Sequence, residues 1–388
     1  MIKFFDSPFW GRGFRPFFLL GALYSACMIV IWGGFYADYI SPPSVISDPI
    51  FWHAHEMIYG FSMAIVAGFL LTAVANWTGG APARQGHLAA LCCIWSVGRF
   101  VMNVDLGLPV WMVAVLDGSF LPALAVTLAI PLLHSRNKRN FIFLGLLTIL
   151  CVCDLMFFFL EDMRPLYVAL FVILTMVSLI GGRIIPAFTV SALRYYGHSV
   201  RSYDQTFLDI AALISLLLVM VALAFWGSDH YGLGVCAAVS SLIHAVRIRG
   251  YHTAKTFVDP MLWILHAGYI WLIIGLGLVS LSAFGVVAFS TALHALTVGT
   301  IGSMTIGMMC RVALGHTGRN IRADSTMTFM FGAMQFAAII RVFGPLFFPD
   351  FSDHAIIGSA ALWSGIFFLY VLKFMPILKS VRPDGQAA

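Results

Sequence analysis

The residues of this chain able to do chemistry are histidines set in otherwise apolar sequence. Trp52-His53-Ala54-His55-Glu56 follows an Asp48-Pro49 pair. His294 opens the run HALTVGTIGSMTIGMMCRVALGHTGR, which closes on His316 and Arg319. His244 comes shortly before Arg247, and His266 shortly after Asp259-Pro260. Neutral imidazole is a ligand for transition metals, and ionisable groups within apolar runs are costly enough to be functional candidates by default. A lone intramembrane histidine is adequately explained by a bond to a serine or carbonyl of the next helix. For His53, His55, Glu56 and His294 taken together, a metal or haem site is the better reading.

Local geometry narrows the candidates. Asp48 suits an N-cap and Pro49 the first helical position. With that start, His53 and His55 are both helical and face different ways, so one serves as a ligand while the other meets a second site, a propionate or water. An extended segment as far as His55 would let both chelate one ion, which is the weaker alternative. His294 lies roughly 12 Å into its own span at 1.5 Å per residue, a depth comparable with His53 and His55. Arg99, Asp105, Asp117, Asp154 and Arg341 fall in the same half and supply counter-charges. In the opposite half His244 and His266 match in depth and form a second candidate ligand pair, with a dipole partner at a helix end as the plainer role for His244.

Arg183 sits in Gly181-Gly182-Arg183-Ile184-Ile185-Pro186, where a glycine pair and a proline loosen a helix. It suits a carboxylate such as a haem propionate, or equally a snorkelling role at the interface; Gly13-Phe14-Arg15-Pro16 reads the same way. His294 and His316 stand 22 residues apart, roughly 33 Å if helical, the whole hydrocarbon core. They cannot share a site, and His316 beside Arg311 and Arg319 reads as interfacial. Met304, Met308, Met327, Met330 and Met334 read as adaptable packing rather than Cu(I) ligands. Gly299, Gly302 and Gly307 remove side chains where a flat macrocycle or another helix approaches.

The elements that must position these groups follow from composition. Of 388 residues 61% are hydrophobic and 10% charged, with mean hydropathy +0.93, where a soluble domain carries about a quarter charged residues. Apolar runs of 18 or more recur throughout and do not alternate, which predicts an all-α, polytopic transmembrane helical bundle and not a barrel. Twelve spans are expected near 15–36, 49–76, 87–103, 109–133, 141–160, 165–192, 206–226, 231–248, 260–283, 286–314, 326–348 and 355–376, as a single transmembrane domain over 1–388, with the helix that starts near His294 at its centre. Of the 22 basic residues, 19 (all but Arg99, Arg164 and Arg341) fall toward the face that holds both termini, Lys3 and Arg247 among them. The other connections carry Asp38, Asp48, Glu161, Asp162, Asp229, Asp350 and Asp353. By the positive-inside rule both termini are cytoplasmic.

The +5 net charge is this topology signal; a nucleic-acid footprint needs a basic domain, and none exists. The first apolar run follows Arg12 and Arg15 and is long enough to span, so no cleaved signal is expected. Seven cysteines lie in or beside apolar runs and read as buried thiols. Cys151 and Cys153 point roughly 200° apart on a helix and so do not chelate. Neither an internal repeat nor a low-complexity segment is visible.

Four motifs carry a resemblance. GFRPFFLLGALYS, WHAHEMIYGF, GGRIIPAFT and HALTVGTIGSMTIGMMCRVALGHTGR, in that order along the chain, resemble the NnrS family of bacterial inner-membrane proteins associated with the response to nitric oxide. The resemblance implies bound haem, of b-type, and copper, with nitric oxide as ligand; it implies no ligand assignment. From depth and helix geometry the metal candidates are His53, His55, His294, His244 and His266. Arg183 joins them against the cofactor, and Glu56, Arg99, Asp117 and Arg341 stand behind. Ferrous haem and Cu(I) both bind nitric oxide, and an uncharged diatomic reaches a site in lipid. Turnover by a metal-dependent oxidoreductase needs an electron route. The chain has no c-type haem motif and no soluble donor domain, so quinol or a partner protein must serve, and binding or protection of iron centres is preferred. The alternatives are a twelve-span secondary transporter built on intramembrane Arg, Asp and Glu, and a haem-handling membrane protein.

Overall fold

In the computed structural model, residues 2–41, 45–46, 48–160 and 162–385 are described. Ser47 and Glu161 lie outside them, and the side chain of Lys3 is likewise not described. Among the described residues the chain is helical, with no strand. Twelve long helices coincide with the expected spans: α1 (Phe14–Tyr36), α2 (Pro49–Thr78), α3 (Gln85–Asn103), α4 (Val110–His134), α5 (Ile142–Leu160), α6 (Arg164–Tyr195), α7 (Thr206–Trp226), α8 (Tyr231–Ile248), α9 (Pro260–Ala283), α10 (Phe289–His316), α11 (Ser325–Phe347) and α12 (Ser352–Lys379).

Among the described residues, eleven helices are long and apolar enough to cross a membrane. The protein is a polytopic helical bundle of the multi-pass membrane type. The twelfth expected span, α3, is present as a 19-residue helix but falls short in apolarity. Gln85, His87, Ser96, Arg99 and Asn103 lower its mean hydropathy.

The helix starts follow local chemistry. The Asp48 carboxylate accepts from the backbone N–H groups of Ile50 at 2.7 Å and Phe51 at 3.3 Å, with Pro49 next in line. Asp259 caps α9 through Met261 N at 2.9 Å, again ahead of a proline, and Asp324 caps α11 through Met327 N at 3.0 Å. Each cap satisfies a donor that the first turn cannot. Gly79, at φ +67, closes α2 in the left-handed conformation. The Gly181-Gly182-Pro186 segment does not end α6, which runs on to Tyr195.

Contacts gather the chain into two units. The first comprises Met1–Ala169, Val312–Asn320 and Phe367–Ala388; the second comprises Leu170–Arg311 and Ile321–Ile366. In the first, α1 packs along α2, α2 against α4, and α4 against both α3 and α5. Its most enclosed span is α2, 78% buried along its most apolar window. In the second, consecutive helices from α7 to α11 pack as successive hairpins, the arrangement that short connections favour. There the small residues of α10 take large neighbours: a Cβ at Gly299 would lie 2.5 Å from Trp271, one at Gly302 2.7 Å from Trp363, and one at Gly307 2.9 Å from Ile264.

Two helices share one irregularity. Glu56–Ser62 of α2 and Ala295–Gly302 of α10 are π-helical, and each stretch starts on the residue after a histidine, His55 and His294. The wider turn bonds i to i+5 and is frequent at functional sites. Periodicity alone carries no signal for it.

Candidate functional site

In the first unit α2 delivers His55, fully buried, into a set of charged groups drawn from four helices. His55 Nδ1 lies 2.9 Å from Glu56 Oε1. On the other side of the ring, Nε2 lies 3.0 Å from Asp154 Oδ1 on α5 and 3.3 Å from Asp117 Oδ2 on α4. Arg99 of α3 donates Nη1 to Glu56 Oε1 at 2.9 Å and Nη2 to Asp117 Oδ1. Tyr24 of α1 donates its hydroxyl to Glu56 Oε2. Asn103 Nδ2 donates to the Tyr24 hydroxyl at 3.0 Å and to Glu56 Oε2 at 3.3 Å.

The π-helical turn sets this up. His55, Glu56, Tyr59 and Gly60 all enter the network: Tyr59 donates to the Leu150 carbonyl at 3.0 Å, and the Trp95 indole N–H donates to the Gly60 carbonyl at 3.2 Å. Gly60 has no room for a side chain, since a Cβ there would fall on the Tyr24 ring with the Arg99 guanidinium just beyond. The His55 ring stacks on Phe157, centroids 4.8 Å apart, which fixes its plane.

The electrostatics of the group are lopsided. Three buried carboxylates, Glu56, Asp117 and Asp154, face a single guanidinium. If Nδ1–H of His55 donates to Glu56, Nε2 turns a lone pair toward two carboxylate oxygens. Asp117 Oδ2, buried, has no hydrogen-bond partner among the described residues, His55 Nε2 at 3.3 Å being its near neighbour. Something positive belongs between these three atoms, either a proton or a metal ion, because a buried charge left unmatched costs several kcal/mol or more.

The donor set fits an ion. His55, Asp117 and Asp154 each offer one ligand atom, all within 4.8 Å of one another. Around an ion bound at about 2.0–2.2 Å, tetrahedral ligand atoms stand roughly 3.3–3.6 Å apart, close to the two spacings at Nε2. Glu56 then holds the opposite nitrogen, the carboxylate–histidine–metal arrangement that orients a ligand. A cavity of about 10 Å³ opens beside Asp117 and Asp154 against Tyr59, Met63, Trp95 and Phe120, on the order of one water molecule.

The other sequence candidates are placed differently. His53 stacks on Trp32 of α1 with centroids 4.4 Å apart, so the two histidines of the motif do face different partners. His294 and Arg341 belong to the second unit and pair there: His294 Nδ1 donates to the Ser290 carbonyl at 2.6 Å, leaving Nε2 to accept from Arg341 Nη2 at 3.1 Å. His244 and His266 are not brought together as ligands. His244 gives Nδ1–H to the Ser240 carbonyl at 2.8 Å and takes the Ser178 hydroxyl on Nε2 at 3.1 Å. His266 bonds Thr189 at 2.8 Å and Thr253 at 3.0 Å, one with each nitrogen. The rings of Tyr269 and Tyr251 stand in the line of contacts between the two histidines. Arg183 is half-buried on α6.

Sequence reasoning passed over Tyr24 and Asn103, and read Asp154 as a counter-charge in the same half or as part of a carrier's path. For Asn103 a signal existed, since it stands one helical turn beyond Arg99 on the same face. For Tyr24 none did.

The family model described as NnrS protein matches residues 8–382, nearly the whole chain. The chain belongs to the NnrS family. No curated protein matches it. Both the HAHE-bearing α2 and the His294-bearing α10 of this NnrS-family protein fall inside the matched range, together with every residue of the network around His55.

Proposed function

We propose that this NnrS-family chain is a haem- and copper-binding protein of the bacterial inner membrane that serves in the response to nitric oxide and nitrosative stress, by binding nitric oxide or protecting iron centres at an intramembrane histidine site. The observation that carries the reading is His55 Nε2 facing Asp117 and Asp154, buried in a span of mean hydropathy 2.0. Bare packing has no use for three carboxylates, a guanidinium and an imidazole at that depth.

On this reading His55, Asp117 and Asp154 hold copper, an ion that imidazole and carboxylate donors suit. Glu56 keeps the proton of His55 on Nδ1. Arg99 ties Glu56 to Asp117, and Tyr24 and Asn103 hold the second oxygen of Glu56, so the ligands are fixed before the ion arrives. Phe157 and Tyr59 keep water off the imidazole. Haem would be held by His294, whose Nδ1 proton is committed to Ser290 and whose Nε2, here accepting from Arg341, would be the nitrogen that binds it. The bound metals supply the sites at which nitric oxide coordinates. Both termini on the cytoplasmic side, and quinol or a partner protein as electron source, complete the proposal.

Purified from haem-replete cells, the protein is expected to show a Soret band that shifts on dithionite reduction and again on nitric oxide addition, with near-stoichiometric iron and copper. A colourless, metal-free protein would sink the reading. It would favour a carrier, for which the buried Arg99–Glu56–Asp117 set would serve as a proton path.

A further inference from the structure

A second set of clustered charges, with Arg15 buried at its centre, lies in the first unit, where three segments far apart in sequence meet. Arg12 and Arg15 stand at the entry to α1, Arg319 follows α10, and Arg382 follows α12. Arg15 is fully buried and donates Nη1 to the Leu378 carbonyl at 2.7 Å and the Ser380 carbonyl at 2.9 Å. Arg319 Nη2 donates to the Ser380 hydroxyl at 2.9 Å, and Arg382 Nη1 to the His316 carbonyl at 3.2 Å. Arg12, Arg319 and Arg382 all lie near enough to act electrostatically on Arg15. Against four guanidiniums, the carboxylate bonded within the group, among the described residues, is Asp384, which Arg382 engages.

The donors left over all point to one kind of ligand. Arg15 Nε and Nη2, Arg12 Nε and the Trp10 indole N–H are buried with no acceptor among the described residues. Buried donors normally find acceptors, and here nothing but donors is left, within six residues of chain. Burial, and then the neighbouring Arg382, hold the Arg12 guanidinium below its ordinary value, the direction expected where positive charge outnumbers negative. An oxyanion with several acceptor oxygens satisfies these groups together, and guanidinium suits it better than ammonium.

The position says where such an anion comes from. α1 begins, and α10 and α12 end, at this group, so it sits at the ends of three apolar spans, the level of the headgroups. Directly before it runs an aromatic segment. Phe4 is 63% exposed, with Phe5, Phe9 and Trp10 in ring contact beside it; aromatic side chains of this kind gather at membrane interfaces. We propose that Arg12, Arg15, Arg319 and Arg382 form a site for the phosphate of an anionic lipid headgroup, which locks the entry of α1 to the C-terminal tail.

The test is lipid retention by the purified full-length protein, read by native mass spectrometry, with phosphatidylglycerol titrated against phosphatidylcholine and with inorganic phosphate as a separate arm. Phosphatidylglycerol should bind at least about tenfold more tightly than phosphatidylcholine. Arg12→Gln and Arg319→Gln, both half-exposed and tolerable to the fold, should each weaken it about fivefold, the factor that corresponds to about 1 kcal/mol per basic residue at a membrane surface. Lys379→Gln, exposed on α12, should leave it unchanged. Equal binding of the two lipids, or retention indifferent to both arginine changes, overturns the site. Displacement of phosphatidylglycerol by millimolar inorganic phosphate would keep the oxyanion site and overturn the lipid as its source.

Discussion

His55 Nε2 lies 3.0 Å from Asp154 Oδ1, a residue on α5 that the sequence separates from it by 99 positions. With Asp117 Oδ2 at 3.3 Å on the same nitrogen, this contact makes a histidine of the HAHE motif the centre of a buried His–Asp–Asp set. Four further consequences can be measured.

If His55, Asp117 and Asp154 hold copper as proposed, removal of the imidazole should empty the site. His55→Ala is expected to abolish copper binding, as measured by elemental analysis of purified protein. Glu56→Gln keeps the ligands but loses the carboxylate behind the ring and should weaken copper affinity about 10–100-fold. His53→Ala, whose ring stacks on Trp32 instead, should retain it. Full copper in His55→Ala would refute the assignment.

Arg99 matters for a different reason. It bridges Glu56 and Asp117, and its loss leaves buried carboxylates without their cation. Arg99→Met should destabilise the first unit by about 3–5 kcal/mol, read as loss of cooperative unfolding or a large drop in melting temperature in detergent. Arg99→Lys should recover only part, because one ammonium does not reach both carboxylates in a planar fork. A variant as stable as the parent would show that the network is not under charge constraint.

The two glycines of the GGR motif should respond unequally. Arg247 is 2% exposed; its guanidinium donates to the Ser178 hydroxyl at 3.0 Å, the Tyr269 hydroxyl at 3.1 Å and Asp209 Oδ1 at 2.6 Å. A Cβ on Gly182 would fall on that guanidinium. One on Gly181 would meet the mobile end of Met304 at 3.1 Å. Gly182→Ala should cost about 1–3 kcal/mol, whereas Gly181→Ala should be close to neutral in a thermal unfolding comparison. Equal effects would contradict the packing described.

His294→Ala is expected to abolish the haem Soret band, and Arg341→Ala, which removes the group that competes for Nε2, to leave haem bound. His244→Ala and His266→Ala, whose rings are each satisfied on both nitrogens by the protein, should retain full haem. Loss of the band in either of those two, with retention in His294→Ala, would reverse the assignment.

Sequence and structure contribute differently here. Hydropathy runs carried the helical bundle and the approximate ends of its helices, and Asp48-Pro49 and Asp259-Pro260 carried two starts, because caps act within one turn. The Asp48 cap also fixed that His53 and His55 diverge. Family membership was legible in four motifs. Depth arithmetic, however, ranks residues along one axis and says nothing of which faces meet, so it grouped His244 with His266 although each is satisfied by its own partners, the Ser178 hydroxyl and Ser240 carbonyl for one and the Thr189 and Thr253 hydroxyls for the other. Arg15 and Arg247 were counted with the basic residues of the terminal face, Arg15 also as a propionate partner or a snorkelling group. The structure buries both, one under the C-terminal tail and one in the notch that Gly182 leaves open, since a cation at a helix end goes inside when carbonyls or a carboxylate wait there. The π-helical turns after His55 and His294 lie outside any period read from composition. Which carboxylates reach Nε2 of His55 is decided by the packing of α2 against α4 and of α4 against α5, a contact between segments about 60 and 100 residues away that no local rule contains.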